Sequence, residues 1–417
     1  MIGLLRQRNY GLLWIAGAVS LLGDYALMVA LPFFIYDLTG SALATGGMFM
    51  AQTLPRILLG SVAGVFVDRW DRKKTLVIAD VARGLLMLLL LLVRSVDLLW
   101  LVYAVAIAQA TLGQFFIPAK NALLPRLVGE KELVPANALN SLSDNLTRLV
   151  GPALGGALYG AVGLSTVVLI DATSFIISGA LLALIAIPSN AAEVTRGAAR
   201  GVAAVWGEWI AGLRIVRQDR TLTGVFVMGG IAMVNEGILI SLLIPFVKDV
   251  LGGSAAQLGW LLSAQAIGGI TGGLLIGKVG GRIAPLRLIA LCGALDGILL
   301  LGIVNGGSIA LALVLIAIAG VPVVGFFVSA QTLVQQQTED SYRGRVFGAF
   351  GTVAAAMTLL GILLAGLLGE TLGIVATMSL GSSLYLVVAI VALLLRPAPA
   401  TANAHLVEGI RSTATGG

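Results

Sequence analysis

Charge is what this sequence has least of. Only 11% of its 417 residues are Asp, Glu, Lys or Arg, against about a quarter in soluble domains. That scarcity excludes a soluble globular protein. There is one cysteine, Cys292, so no intrachain disulfide can form, and one histidine, His405, in a polar stretch near the C-terminus. A Cys/His metal site is excluded with them. No Gly-x-x-x-x-Gly-Lys-Ser/Thr loop and no sizeable polar segment are present, which excludes nucleotide hydrolysis of the familiar kind. Intramembrane enzyme chemistry would have carboxylates at its disposal, but the apolar runs hold no histidine and no catalytic constellation. The formal charge of +6 comes from 26 basic and 20 acidic residues. Its distribution, below, assigns it to loops beside a membrane rather than to a nucleic-acid surface.

What the chain has in abundance is apolar length. Hydrophobic residues make up 58% of it and mean hydropathy is +1.01. Spanning a bilayer takes roughly 20 residues per helix, and twelve apolar runs can be drawn: 10–36, 42–67, 75–95, 98–119, 138–164, 166–187, 220–247, 256–279, 285–304, 307–332, 343–369 and 371–395. The runs are apolar on every face, unlike the alternating strands of a membrane barrel. The fold expected is therefore an all-α polytopic membrane protein. Fifty-four glycines fit helices packed backbone to backbone in lipid. With the N-terminus cytoplasmic, 21 basic residues fall on the inner side and only Arg94 and Lys248 on the outer. By the positive-inside rule both termini are expected inside.

The chain divides into 1–187, a linker at 188–219, 220–396, and a polar tail at 397–417 expected to be disordered. Val202 to Arg217 predicts an amphipathic helix at the inner interface. The halves repeat: Gly272 to Arg282 follows the eighth run where Gly64 to Lys74 follows the second, with Gly277 in place of Asp68. Two six-helix halves are the parallel-repeat plan of known transporters.

The stretch Gly64-Val-Phe-Val-Asp68-Arg69-Trp-Asp71-Arg72-Lys73-Lys74 resembles the loop between helices 2 and 3 of the major facilitator superfamily. Gly151-Pro152-Ala-Leu-Gly155-Gly156 resembles the fifth-helix motif of its drug exporters, with Ala138 and Thr147 where the longer motif has further glycines. Gln109 to Arg126, Glu132 to Asn140, and Gln331 to Gly348 resemble the subgroup of bacterial siderophore exporters and macrolide efflux proteins. The resemblance implies two six-helix bundles, alternating access in the bacterial plasma membrane and efflux of an amphipathic or hydrophobic small molecule. It implies no cofactor, a proton gradient as energy source, and no obligatory partner beyond substrate and lipid. Metabolite uptake or lysophospholipid transport on the same scaffold, or a membrane protein that transports nothing, are the alternatives.

Intramembrane acids are costly and cluster at functional sites. Asp24 and Glu236, at matching places in the two halves, are the first proton-coupling candidates, with Asp171 and Asp296 behind them. Gly64, Asp68, Arg69, Arg72 and Lys73 form the gating motif. Arg56, Asp80, Arg83, Asp144 and Arg148 are expected to form an inner charge network. Tyr25, Met28, Phe33, Gln52, Gln109 and Gln265 are cavity candidates. The arginine found on the fourth helix of many superfamily antiporters has no counterpart here, where Gln109 and Gln114 are the polar residues.

Overall fold

A computed structural model describes residues 2–67, 70–129, 132–186 and 202–395. Asp68 and Arg69 of the gating motif, the start of the linker and the tail lie outside the described residues. Among those residues the fold is helical throughout. After a short α1 (Ile2–Leu5) come α2 (Arg8–Thr39), α3 (Ala42–Val67), α4 (Arg72–Leu88), α5 (Leu99–Leu127) and α6 (Leu133–Ala183). Then follow α7 (Val202–Gln218), α8 (Arg220–Pro245), α9 (Ala255–Val279), α10 (Pro285–Asn305), α11 (Ile309–Gln337), α12 (Asp340–Thr371) and α13 (Ile374–Leu394). Ten are long and apolar enough to cross a membrane among the described residues. Helices satisfy every backbone polar group internally, the condition lipid imposes.

The ends are written in polar residues. Asp71, in the polar loop after α3, caps α4 by accepting from the Lys74 amide at 2.9 Å. Asp219 caps α8 through the amides of Thr221 and Leu222, and Ser254 with Gln257 forms a capping box on α9. Trp70 stacks on Phe115 of α5 at 5.5 Å between ring centroids, tying the loop to the bundle. The Arg72 guanidinium donates to the Ala122 carbonyl. In α6, 51 residues long, Gly163 adopts φ 75° and ψ 175°, a conformation only glycine takes without strain, and the helix breaks there. Helix α7 spans the amphipathic stretch and packs on α12; a Cβ on Gly212 would stand 2.5 Å from the Arg345 carbonyl oxygen.

Within the first half of the chain α2 packs on α6, and α4 on α5 and α6. Within the second, α8 packs on α12 and α13, and α10 on α11 and α13. The halves meet where α6 crosses α9 and α3 crosses α8 and α12. Their seams are glycine-lined. A Cβ on Gly155 would stand 2.1 Å from the Ala26 carbonyl oxygen, and one on Gly151 2.4 Å from the Tyr25 Cβ, so both face α2. Gly156 faces the other way, with its Cβ position 2.1 Å from the Ala255 carbonyl oxygen of α9, while Gly259 of α9 abuts the Pro152 carbonyl.

A side chain at these contacts must force two helices apart. Gly155→Leu should lower the stability of the detergent-solubilised protein by at least about 1–3 kcal/mol. Gly113→Ala, where no atom lies within 4 Å of the added Cβ, should leave it unchanged. Thermal unfolding of both in one micelle condition checks the pair.

Candidate functional site

Four helices bring ionisable side chains to two cavities, in matching registers. Asp24 lies sixteen residues beyond Arg8, and Glu236 sixteen beyond Arg220. Gln52 lies ten beyond Ala42, and Gln265 ten beyond Ala255. Arg83 lies eleven beyond Arg72, and Asp296 eleven beyond Pro285. The chemistry matches at the first two places. At the third it is inverted, because a guanidinium in one half stands where a carboxylate stands in the other.

In the first half, α2 to α5 enclose a cavity of about 350 Å³ lined by Asp24, Tyr25, Met28, Gln52, Arg83, Gln109 and Gln114 among apolar neighbours. The Arg83 Nη2 donates to both carboxylate oxygens of Asp24 at 3.2 Å. Its Nε donates to Gln109 Oε1 at 2.9 Å, and Gln109 Nε2 donates back to the Arg83 carbonyl at 2.6 Å. The guanidinium carbon lies 4.1 Å from the Phe175 ring centroid. Asp24 is thus held by a fixed cation that is itself held from three sides. Asp171 is fully buried behind it, outside the cavity, against Gly23 and Ser174.

This arrangement divides the inner charge network read from the sequence. Arg83, three residues from Asp80 on α4 and within electrostatic reach of it, makes its hydrogen bonds to α2 and α5 instead, because Asp24 lies in the apolar belt with no other cation bonded to it among the described residues. Asp80, fully buried, accepts instead from the Ser178 hydroxyl. Lys120 lies within electrostatic reach of Asp80 and Asp144. Arg56 and Asp144 are exposed, and Arg148 lines the other cavity. Phe33 is also misplaced by the sequence reading: it is buried in the core, 5.8 Å from the Tyr159 ring, and lines neither cavity.

The second cavity, about 700 Å³, lies between the halves. Asn145 and Arg148 of α6 face Glu236 of α8, Gln265 of α9, Asp296 of α10 and Tyr385 of α13. Arg148 is within electrostatic reach of Glu236 and of Tyr25, so it connects the two cavities. Glu236 is exposed to the cavity, whereas Asp296 is 2% exposed and its Oδ1 has no hydrogen-bond partner among the described residues. Asn235 is fully buried beside Tyr385. Two carboxylates therefore share this space with one guanidinium, while the first cavity has one of each. Asn145, Asn235 and Tyr385 were not singled out in the sequence: single polar residues in apolar runs carry no spacing signal.

The cavity has one closed end. From Leu149, whose carbonyl accepts from Ser263 at 2.6 Å, to the contacts of Gly156 with Ala255, α6 and α9 touch backbone to backbone. In the opposite direction, Asn145 and Arg148 stand off from Gly269 and Gly273 across the cavity. Two helical halves that meet at one end and enclose a polar chamber toward the other make a membrane transporter. The chain belongs to the transmembrane secretion effector family of the major facilitator superfamily, whose model it matches over residues 2–409. It is 27% identical to macrolide efflux protein A of Streptococcus pyogenes over 91% of this chain and 94% of that one. It is 30% identical to the multidrug efflux pump Tap of Mycolicibacterium fortuitum over 85% and 88% of the two chains. Among solved structures, a bacterial homologue of the iron transporter ferroportin in an inward-facing state aligns with a TM-score of 0.76 at 16% identity, over 93% and 98%.

The Asp24–Arg83 contact should carry measurable coupling. In a double-mutant cycle of Asp24→Asn and Arg83→Met, unfolding in detergent should give an interaction energy of about 1 kcal/mol or more, with Arg83→Met alone the costliest variant because it leaves a carboxylate without its cation.

Proposed function

We propose that this chain is a secondary active exporter that moves amphipathic or hydrophobic small molecules outward in exchange for protons. The observation that carries the reading is the inter-half cavity, closed at one end and holding two carboxylates against one guanidinium. The names of the relatives, a macrolide efflux protein and a multidrug efflux pump, support export. Division of α6 at Gly163, with α7 counted as a linker, makes twelve spans, six in 1–187 and six in 220–396. The excess of basic residues puts the open end and both termini in the cytoplasm, so the described conformation faces inward in a bacterial plasma membrane. One chain with its surrounding lipid suffices for transport.

Coupling then falls to Glu236 and Asp296 rather than to Asp24. The Asp24 carboxylate already has its counter-charge in the Arg83 guanidinium of the same half. Glu236 and Asp296 share their chamber with one guanidinium, so one negative charge is left there for a transported proton to offset. Opening toward the acidic outer medium loads that proton, opening inward releases it, and substrate leaves in the opposite direction. Lysophospholipid transfer is the second reading. It is favoured by an apolar groove of about 760 Å³ between α3 and α12, lined by Leu43, Met50, Leu54, Leu359 and Leu363 and accessible from the lipid side.

Uptake of labelled macrolides and dyes into inverted membrane vesicles, with and without an inward-acid gradient, tests the first reading. Gradient-driven uptake should fall at least about tenfold in Glu236→Gln and survive better in Asp24→Asn. Uptake indifferent to the gradient would rule out proton coupling, and movement of lysophospholipid alone would favour the second reading.

A further inference from the structure

The linker helix α7 ends in arginines that neither cavity uses. It packs on α8 and α12, two helices of the second half. Gly212 seats it there, with its Cβ position 2.5 Å from the Arg345 carbonyl oxygen and 3.4 Å from the Ala349 Cβ. Val216 is buried, and Leu213 and Ile215 pack against the core of the second half. The Thr223 hydroxyl donates to the Val216 carbonyl at 2.7 Å and fixes the corner where α7 gives way to α8. The membrane-crossing stretch of α12 begins at Tyr342, so α7 crosses it at the depth where that span enters the bilayer.

The outward face of α7 has a different character. Ile210, Arg214 and Arg217 are all exposed, and steps of four and three residues put them on one side of the helix. Arg220 follows at the corner and is also exposed. An isoleucine about half exposed beside guanidinium groups suits neither bulk water nor hydrocarbon. It suits the boundary between them, where an apolar side chain meets acyl chains and a long basic one reaches headgroups. No acid answers these cations. Asp219, the one carboxylate from Ile210 to Arg220, is buried, and its Oδ1 accepts from the amides of Thr221 and Leu222. Arg214, Arg217 and Arg220 form no ion pair among the described residues.

We propose that the outward face of α7 binds anionic phospholipids of the inner leaflet, with Arg214, Arg217 and Arg220 on headgroup phosphates and Ile210 among the upper acyl chains. A free phosphate would satisfy the guanidinium groups but leave Ile210 in water, whereas a phospholipid covers both. A zwitterionic headgroup brings its own ammonium, so uncompensated arginines favour a headgroup without one. Because α7 is seated on α8 and α12, the bound lipid moves with the second half. Only the choice of leaflet rests on the orientation proposed above; the binding does not, and solubilised protein reads it in either orientation.

Retention of dioleoylphosphatidylglycerol by the delipidated full-length protein, measured by native mass spectrometry against dioleoylphosphatidylcholine, tests the site. The parent should prefer phosphatidylglycerol. Combining Arg214→Gln, Arg217→Gln and Arg220→Gln should lower its apparent affinity at least about tenfold, while lysine at the same three positions should keep most of it. Ile210→Gln, which changes no charge, should weaken retention by about two- to fivefold. Combining Lys278→Gln, Arg282→Gln and Arg287→Gln, an equal loss of charge on another loop of the same half, should leave it near the parent. An equal fall in that control would reduce the effect to net charge and overturn the site, as would a parent without preference for phosphatidylglycerol. Displacement of the lipid by equimolar glycerol 3-phosphate would mark a free-phosphate site and overturn the lipid assignment.

Discussion

A charge held inside an apolar belt must be matched by another, and the organisation of this transporter follows from how each half meets that demand. Removing an ion from water costs several kcal/mol unless a partner and further hydrogen bonds take the place of the water. In the first cavity the match is internal. Asp24 meets Arg83, and Arg83 is fixed by Gln109 and the face of Phe175. In the second half the same register presents Glu236 and Asp296, and the guanidinium that shares their cavity, Arg148, comes from the first half and lies within electrostatic reach of Glu236. One cavity is compensated within its own half, and the other draws on its neighbour.

That asymmetry would be inert in a rigid protein. Glycine supplies the freedom for the halves to move. Gly151 and Gly155 seat α6 on α2 within the first half, whereas Gly156 and Gly259 bring α6 against α9 across the halves. The second half repeats the inner seam, with Gly237 and Gly361 bringing α8 against α12. Small residues let helices touch through dispersion alone, a contact with few side chains to interlock and so one along which neighbours can rock.

Much of this could be read from the residues. The helix limits were legible because long apolar runs end in charge, Pro or Gly, and the boundary drawn between the runs 138–164 and 166–187 falls beside Gly163, at φ 75°. Asp24, Tyr25, Met28, Gln52 and Gln109 share one cavity and Glu236, Asp296 and Gln265 the other, because side chains that are polar in lipid have few places to go. The reach of long side chains was not legible. Helical spacing put Arg83 with Asp80 on one face, but a guanidinium arm spans the distance to α2 and α5, so its choice depends on which neighbour most needs a cation. Gln109 was read as standing where an antiporter arginine was missing; it holds an arginine that arrives from α4. Phe33 was mistaken for cavity lining because aromatic residues look alike in core and cavity. Tyr36, Asp37, Lys248 and Asp249 escaped notice for another reason: each is an ordinary helix-end residue, and only tertiary contact more than 200 residues away joins them.

The cavity carboxylates Asp24 and Glu236 and the closed-end bonds of Lys248 to Asp37 and of Tyr36 to Asp249 lie on the same two helices. Asp24 and Asp37 are both on α2, and Glu236 is on α8, whose continuation carries Lys248 and Asp249. Twelve or thirteen residues of helix separate these positions, a rise of about 20 Å. Pro32 lies between Asp24 and Asp37, and Pro245 with the wider turn at Phe246–Val250 lies between Glu236 and Lys248, so each helix can bend between its two polar positions. Charge compensation at the cavity and bonding at the closed end can therefore change separately. The inverted residue pair, Arg83 against Asp296, leaves the inter-half cavity with two carboxylates and one guanidinium, whereas the cavity of the first half holds one of each.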